Sequence, residues 1–270
     1  KARLAKGRLF SYDINDILKS IENDLKSGAK EIWLTSQDNA NYNLDKGEQK
    51  LPELLNKILN LKHNFKLRLG MMDPNNVLPI LNELIEIYKN KKIYKFIHIP
   101  IQSASNKILK DMNRFYKIED AEKIIEKFKK EIPNITIATD IIVGYPTEKQ
   151  EDHLKNIEFI KKYKPDVFNL SKFSSHKQTP AGKLEQLPIS IVSKRASELM
   201  EAHRQTASEN KQKFLGKTIN VFVNMKRQGF YEARDEFYNI VIIVGDKILG
   251  ENIKVKIKQA GVHHMLGEII

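Results

Sequence analysis

The sequence predicts an α/β fold, in which a partial (βα) barrel is followed by a small all-β barrel. Five short apolar runs, each followed by a helical pattern, recur at a spacing of roughly 30–40 residues before residue 188. Strands that are joined by helices run parallel, and right-handed crossovers wind such an array into an open or closed barrel. After Gly216 the pattern changes to short alternating runs between glycines, which is typical of a small antiparallel β-barrel.

Composition limits the class of protein. The 270 residues are 41% hydrophobic and 30% charged, which is the profile of a soluble globular protein. No apolar run approaches the roughly 18 residues of a membrane helix, and no apolar stretch near Lys1 has the form of a signal peptide. We therefore expect no membrane partner and a cytoplasmic location.

Charge and cysteine content narrow the function further. The formal net charge of +12 favours an anionic partner, nucleic acid first, although a lysine-rich chain can also be charged for solubility or heat adaptation alone. The sequence has no cysteine, which excludes disulfides, thiolate nucleophiles and cysteine-ligated metal within these residues.

The central predicted strand covers residues 135–143, is β-branched at most positions and carries one charge, Asp140. Such a run suits a strand that is covered on both faces. A turn follows at Gly144, and Thr147 with Gln150 has the form of a capping box at the start of a helix. Asp140 is either a ligand contact at the carboxyl end of the sheet or a buried carboxylate satisfied by backbone donors.

Polar residues follow each predicted strand. The other four strands are expected over residues 31–38, 65–72, 93–100 and 166–173. The polar residues at the strand ends are Gln37, Asp38, Asp73, Gln102, Ser103, Gly144, Ser174 and His176. Because the carboxyl ends of parallel strands meet at one edge of a sheet, these residues predict a binding site there. Helix capping explains Asp73, but it explains Gln37 and Gln102 poorly; Ser11 is expected to cap the first helix.

Three segments are expected along the chain. Residues 1–188 form the partial barrel, residues 189–215 a long basic connecting helix, and residues 216–270 the β-barrel. In the last segment Lys254, Lys256 and Lys258 alternate with other residues and therefore project from one face of a strand. That face is either simply solvated or, in a barrel of the oligonucleotide-binding kind, a set of phosphate contacts.

A series of motifs, taken together, resembles a known family. The motifs are GRLFSY (7–12), EIWLTSQD (31–38), RLGMMDP (68–74), HIPIQSAS (98–105), MNR (112–114), TDIIVGYP (139–146) and TPA (179–181). In this order, and with the terminal barrel, they resemble the radical S-adenosylmethionine (SAM) tRNA methylthiotransferases over essentially the whole chain. The similarity is greatest to the archaeal and eukaryotic branch that acts on N6-threonylcarbamoyladenosine.

The resemblance implies a fold, a reaction and a partner. Residues 1–188 would form a partial barrel of the radical SAM type, and residues 216–270 a TRAM domain, which is a small RNA-binding barrel. The family inserts sulfur at C2 of the modified adenine at position 37, so the anticodon stem-loop of tRNA is the expected partner. One 4Fe-4S cluster cleaves SAM reductively to a radical, and a second cluster is associated with sulfur delivery.

The absence of cysteine is the large departure from the family. The family holds its radical cluster with a Cys-x3-Cys-x2-Cys loop, and thiolates are the anchors of such clusters. This chain should therefore bind neither cluster through cysteines of its own, and by itself we expect it to be inactive. We interpret it as the remainder of a longer enzyme, without the first barrel strand and the N-terminal domain; a natural cluster-free relative is the alternative.

The resemblance also assigns binding residues, but no catalytic residue or metal ligand in this chain. Those implied for SAM are Gln37, Asp38, Arg68, Gln102, Ser103, Arg114, Asp140, Val143, Gly144, Phe173 and Ser174. Those implied for RNA are Arg227, Arg234, Lys254, Lys256, Lys258 and His263. Arg114 is either a partner of the cofactor carboxylate or a surface charge. Two positions depart from the family pattern: His176 occupies a position where the family usually has arginine, and Ala104 one where it usually has glycine.

Other functions stay open on the sequence alone. The chain could be a non-catalytic RNA-binding protein, a methylthiotransferase for another base such as isopentenyladenosine, or a barrel enzyme for a small phosphorylated substrate. The last lacks a convincing acid–base pair, because His98 and Asp140 lie within strands and can simply be core residues. SAM binding would separate the radical enzyme from the RNA-binding protein, and salt-sensitive tRNA binding would separate it from the phosphate enzyme.

Overall fold

The computed structural model describes residues 7–176, 178–246 and 248–270. Its first half contains the strands β1 (Glu31–Leu34), β2 (Lys66–Leu69), β3 (Phe96–His98), β4 (Thr136–Val143) and β5 (Val167–Lys172). β1 pairs with β2, and β3, β4 and β5 pair in sequence order; every one of these pairs is parallel. Between the two groups, the N–H of Leu67 donates to Lys92 O at 2.7 Å and that of Met72 donates to His98 O at 3.0 Å. The predicted parallel array is confirmed.

Helices cover one face of this sheet. They are α1 (Ile14–Lys26), α2 (Leu51–Leu59), α3 (Pro74–Val77), α4 (Leu81–Tyr88), α5 (Asn106–Asp111), α6 (Ile118–Glu131), α7 (Gln150–Tyr163) and α8 (Ile189–Gln212). Their apolar stripes bury strand residues such as Leu67, Ile97 and Ile137 completely. The alternate residues of the strands, including Arg68 and Asp140, face away from the helices and stay partly exposed.

Two predicted helix caps are wrong. Asp13, rather than Ser11, caps α1, since its carboxylate accepts a hydrogen bond from Asn15 N at 2.8 Å. α7 begins at Gln150 after an N-cap at Lys149, whose N–H donates to Asp152. Thr147 instead donates its hydroxyl to Asp111. In both cases a carboxylate at the right spacing replaces the neutral hydroxyl as the acceptor.

The predicted connecting helix, α8, also belongs to the first core. Ala196 and Leu199 are buried among the residues that pack under β4 and β5. A buried ion pair fixes it there: Arg195 Nη1 lies 3.0 Å from Glu148 Oε2, and the two side chains are 8% and 1% exposed. Glu148 Oε2 also accepts the N–H of Gly144 at 2.7 Å. α8 therefore supports the turn that follows β4.

A closed five-stranded barrel forms the C-terminal part, which confirms the predicted barrel. Its strands are β6 (Thr218–Lys226), β7 (Tyr231–Arg234), β8 (Ile240–Ile243), β9 (Asn252–Ala260) and β10 (His264–Ile269). The order around the barrel is β10-β8-β7-β6-β9, and β8 and β10 are parallel, which corrects the expectation of a wholly antiparallel barrel. An odd number of strands cannot alternate in direction all the way around a closed ring, so one pair has to be parallel.

The turn between β7 and β8 contacts the amino end of the parallel sheet. Lys95 N, just before β3, donates to Glu236 O at 2.8 Å. The ring of Tyr238 lies 4.9 Å from that of Tyr94 and 5.2 Å from that of Phe96, measured between centroids. The C-terminal barrel therefore contacts the amino end of β3, and these contacts leave the carboxyl ends of the strands uncovered.

No helix in residues 7–176, 178–246 and 248–270 combines the length and the apolar character needed to cross a bilayer.

The buried ion pair between Glu148, in the turn before α7, and Arg195 of α8 gives a stability prediction. Arg195→Ala leaves the Glu148 carboxylate buried without its cation, and we expect it to lower the free energy of unfolding by about 3–5 kcal/mol. The matched control is Arg204→Ala, which removes an arginine of α8 whose ion pair with Glu201 is more than half exposed; it should cost less than about 1 kcal/mol. Urea unfolding measures both, and equal losses would contradict the account.

Candidate functional site

Backbone and side-chain hydrogen bonds bring the ends of all five strands to one edge. Asp38, after β1, accepts the N–H of Asp73, after β2, at 2.9 Å. Gln102 N, in the segment after β3, donates to Asp140 O of β4 at 2.8 Å. On the far side, Phe173 N after β5 donates to Val143 O at 2.8 Å. The carboxyl ends of the strands therefore form a continuous edge.

Two glutamine side chains at this edge have no hydrogen-bond partner in the part of the chain that the structure describes. Gln37 is exposed and Gln102 is partly exposed, and neither amide makes a hydrogen bond with another residue that the structure describes. The backbone of Gln102 is in the left-handed region, with φ at 62°. Its N–H donates to Asp140 O and its carbonyl accepts the N–H of Ile142, and these two bonds to β4 hold that conformation. Its neighbour Ser103 is buried, and the Ser103 hydroxyl accepts the N–H of Ser105 at 3.2 Å. Free amide groups are suited to bind a polar ligand.

Gly144 shapes the turn at the end of β4. Its φ is +81°, and an added Cβ would lie 2.7 Å from the side chain of Val192 in α8. A residue with a side chain is therefore excluded there on two grounds, strain and collision. Val143 is fully buried, backbone included, and its carbonyl accepts the N–H of Phe173, so this predicted cofactor residue presents no free group at the edge. Phe173 packs edge-on against Tyr145, with centroids 5.1 Å apart, and Ser174 beyond it is exposed.

His98, Asp140 and Asn169 form a hydrogen-bonded cluster within β3, β4 and β5, on the face of the sheet away from the helices. Oδ1 of Asp140 lies 2.8 Å from His98 Nε2, and it accepts a hydrogen bond of 2.8 Å from the Asn169 amide. Burial by itself would raise the pKa of Asp140, but the bond to His98, the charge of His98 and the bond from Asn169 outweigh it and lower that pKa. The cluster keeps a carboxylate charged at the centre of the sheet.

Three of the predicted cofactor residues have other partners. Asp38 accepts hydrogen bonds from Ala40, Asp73 and Asn76 on its two carboxylate oxygens, so its contacts hold the loop together. Arg114 lies 3.7 Å from Asp73. Arg68 lies within β2 rather than at its end, with its guanidinium over the rings of Trp33, Phe96 and Tyr238.

Sequence reasoning did not include His98 or Asn169 among the site residues. His98 was considered a possible core residue, and Asn169 sits in a predicted strand without a motif. The alternation of strand residues contains the missing signal, because Asn169 lies directly opposite Asp140 in the register of β4 and β5. The sequence alone does not show that β4 and β5 are neighbours; the structure shows it.

The predicted RNA residues fall into two groups. Lys254, Lys256 and Lys258 are exposed on the outer side of β9, while Val255 and Ile257 between them are buried in the barrel. This confirms that the three lysines share a face. Lys258 is paired with Glu268, with 2.6 Å between Nζ and Oε2.

The other three predicted RNA residues do not lie on this face. Arg227 is exposed in the turn after β6 and pairs with Glu232, with Nε 2.8 Å from Oε1. Arg234 and His263 lie where the barrel meets the parallel sheet, and both line a cavity there. The structure therefore separates the lysine face from a second, internal basic site.

The side chains at this edge fit SAM, but they do not fit an iron–sulfur cluster. Gln37 and Gln102, whose amides have no partner among the described residues, and the turn at Gly144 follow strands that end at the same edge, and together they fit a polar nucleoside-type cofactor. A cluster is not matched, because the sequence has no cysteine and the described residues contain no group of three or more His, Asp or Glu placed to hold a metal ion. The residues of this chain therefore cannot anchor such a cluster.

With this architecture, comparison with known proteins identifies the class. A family model described as the radical SAM superfamily matches residues 3–160, more than half of the chain. The chain belongs to that superfamily, whose members use SAM with a 4Fe-4S cluster. Coproporphyrinogen III oxidase from Escherichia coli shares the fold, with a TM-score of 0.50 at 11% identity, over 91% of this chain and 60% of that one.

Within the superfamily, two similar curated proteins bear the same description. The chain is 40% identical over 268 residues to a probable threonylcarbamoyladenosine tRNA methylthiotransferase of Archaeoglobus fulgidus, covering 99% of this chain and 63% of that protein. The corresponding human protein, a threonylcarbamoyladenosine tRNA methylthiotransferase, is 34% identical over 274 residues, covering 99% of this chain and 46% of its own length. The resemblance that the motifs indicated is confirmed. The chain spans less than two thirds of the length of either relative.

The lowered pKa of Asp140 gives a pH prediction. Its stabilising contribution is fully present above the ordinary value of 3.8 and is lost as the pH falls through the lower pKa of the folded state. Asp140→Asn should therefore reduce the free energy of unfolding by about 1–2 kcal/mol at pH 7, and by less at pH 3. Urea titrations at the two pH values measure this. Asp24→Asn, at an exposed position of α1, is the matched control; a loss at Asp140 that does not change with pH would refute the assignment.

Proposed function

We propose that this chain supplies the cofactor-binding and RNA-binding parts of a tRNA methylthiotransferase. Its substrate would be N6-threonylcarbamoyladenosine at position 37 in the anticodon stem-loop, which would become the 2-methylthio derivative in the cytoplasm. The observation that carries the proposal is the similarity to threonylcarbamoyladenosine tRNA methylthiotransferases over 99% of the chain. The two clusters of the family would need ligands from outside these 270 residues.

The carboxyl edge is the proposed SAM site. The amides of Gln37 and Gln102, which have no hydrogen-bond partner among the described residues, would bind polar groups of the cofactor, and the turn at Gly144 would lie along its nucleoside. Phe173 and Ser174 would flank the adenine. SAM, once bound beside a reduced cluster, supplies radical chemistry; the residues of this chain position it and shape the space around it.

The side chains that already have partners are proposed to act indirectly. Asp38 holds the loop after β1 through its three hydrogen bonds, so we propose it as a positioning residue. Arg114 can exchange its long contact with Asp73 for a cofactor carboxylate, since 3.7 Å is too far for a strong charge-assisted bond. Asp140 has an oxygen, Oδ2, without a hydrogen bond to the described residues, and this oxygen would be the one to contact the cofactor.

The lysine face is the proposed outer contact with tRNA. Lys254, Lys256 and Lys258 lie along β9 at alternate positions, and Thr218 and Asn220 of β6 pair beside Lys256 and Lys254. A strand that presents cations at every second residue can follow a phosphate backbone. This face and the formal charge of +12 both favour an RNA partner.

Binding of three stem-loops tests the proposal. Anticodon stem-loops that differ only at position 37 carry N6-threonylcarbamoyladenosine, isopentenyladenosine or unmodified adenosine, and fluorescence anisotropy measures their affinities. We expect the threonylcarbamoyl form to bind most tightly, because its polar group can reach the exposed side chains of the site. Equal affinity for all three would refute the substrate assignment, and tighter binding of the isopentenyl form would favour the other base.

A charge-reversal variant tests the lysine face in the same assay. Replacing Lys254, Lys256 and Lys258 with Glu should weaken the binding of all three stem-loops to the same degree. It should also reduce the slope of log affinity against log salt by about one unit per lost phosphate contact. The matched control replaces Lys123, Lys130 and Lys161, which are exposed on α6 and α7, with Glu. If both triple variants bind equally well, the lysine face is not the RNA contact.

A further inference from the structure

A cavity lies between the amino half of the parallel sheet and the C-terminal barrel, apart from the carboxyl edge and from the lysine face. It has a volume of about 420 Å³. Arg68 of β2 and Asn169 of β5 line it from the sheet, Lys211 lines it from α8, and Arg234 and Tyr238 line it from the barrel. Both parts of the chain therefore build the site.

Arg68 and Arg234 bring two positive charges together in this cavity. Arg68 and Arg234 lie over the same ring, that of Tyr238, with guanidinium carbons 5.6 and 4.3 Å from its centroid. Among the residues that the structure describes, no carboxylate oxygen lies within 4.0 Å of either guanidinium group. Nε of each is buried without a hydrogen-bond partner. Two like charges on one ring repel, and buried donors without acceptors are costly.

Lys211 adds a third cation. It is 3% exposed, and burial lowers the pKa of its ammonium group, although nearby Asp166 opposes that shift. Asp166 is the one carboxylate on the cavity wall among the described residues, and its two oxygens already accept hydrogen bonds from Ile137 N and from the Asn210 amide. His203 also lines the cavity, but burial lowers its pKa to about 4, so it is neutral near pH 7.

We infer that the junction cavity binds the phosphate group of a nucleotide, with Arg68, Arg234 and Lys211 as its donors. Guanidinium forks match phosphate oxygens, and an anion would satisfy the buried Nε atoms and separate the two positive charges. The volume exceeds what a bare phosphate needs, and Met200 and Ile240 in the lining give apolar surface for a sugar or base.

Two sources can supply this phosphate group: the backbone of an RNA strand, or a free nucleotide. RNA as the source rests on the proposed function, whereas the cavity and its charges do not. The probes are therefore inorganic phosphate, adenosine monophosphate and the unmodified anticodon stem-loop.

Thermal unfolding tests the cavity first. Phosphate stabilises many proteins without binding to a site, so the comparison is between variants at constant ionic strength. We expect phosphate and adenosine monophosphate to raise the Tm of the unaltered chain, and Arg234→Ala to abolish most of that rise. Arg204→Ala removes the same charge at an exposed position of α8 and should keep the full rise. If Arg234→Ala fails to fold, Lys211→Met removes another donor while the Arg234–Tyr238 contact stays.

The stem-loop distinguishes the sources. With RNA as the source, Arg234→Ala reduces the slope of log affinity against log salt by about one unit and Arg204→Ala does not. With a free nucleotide as the source, the slope is unchanged while the nucleotide-induced rise in Tm is lost. The inference is overturned if phosphate and adenosine monophosphate act equally on Arg234→Ala and Arg204→Ala and the slope is also unchanged. A chain that binds no stem-loop at all would instead refute the proposed function.

Discussion

Hydrogen bonds that continue beyond the strand ends hold the candidate site together. Parallel strands place their carboxyl ends at the same edge, but strand pairing by itself stops before the polar residues begin. The bonds from Asp73 to Asp38, from Gln102 to Asp140 and from Phe173 to Val143 extend the sheet into the loops. Because this backbone is fixed, the free side chains that follow it occupy one region.

The second part of the chain completes the architecture from the opposite end. Tyr238 packs on Tyr94 and Phe96, and the backbone of Glu236 pairs with Lys95, so the β7–β8 turn contacts the amino end of β3. The carboxyl end of the sheet is left uncovered by these contacts, while the other end carries the barrel and the basic junction cavity.

The sequence predicted the parts of the fold that local patterns determine, and it missed those that depend on neighbours. Apolar runs, glycine turns and period-two lysines predicted the strands and the lysine face correctly, because each follows from residues adjacent in the chain. The two wrong caps reflect a competition between hydroxyls and carboxylates that spacing alone does not decide. The resemblance assigned Arg68 to the cofactor, but Arg68 lies against Tyr238, 170 positions away along the chain. Pairing of Asn169 with Asp140 likewise required the register of β4 and β5.

Hydrogen–deuterium exchange of this chain with and without saturating SAM tests the central claim most directly, because it reports the backbone of each strand end separately. The account predicts slower exchange in the peptides that contain Gln37, Gln102 and Gly144, and no change in those around Lys66 and Tyr94 at the other end of the sheet. Slowing at the amino end, or no slowing at any of the three carboxyl-end segments, would contradict it.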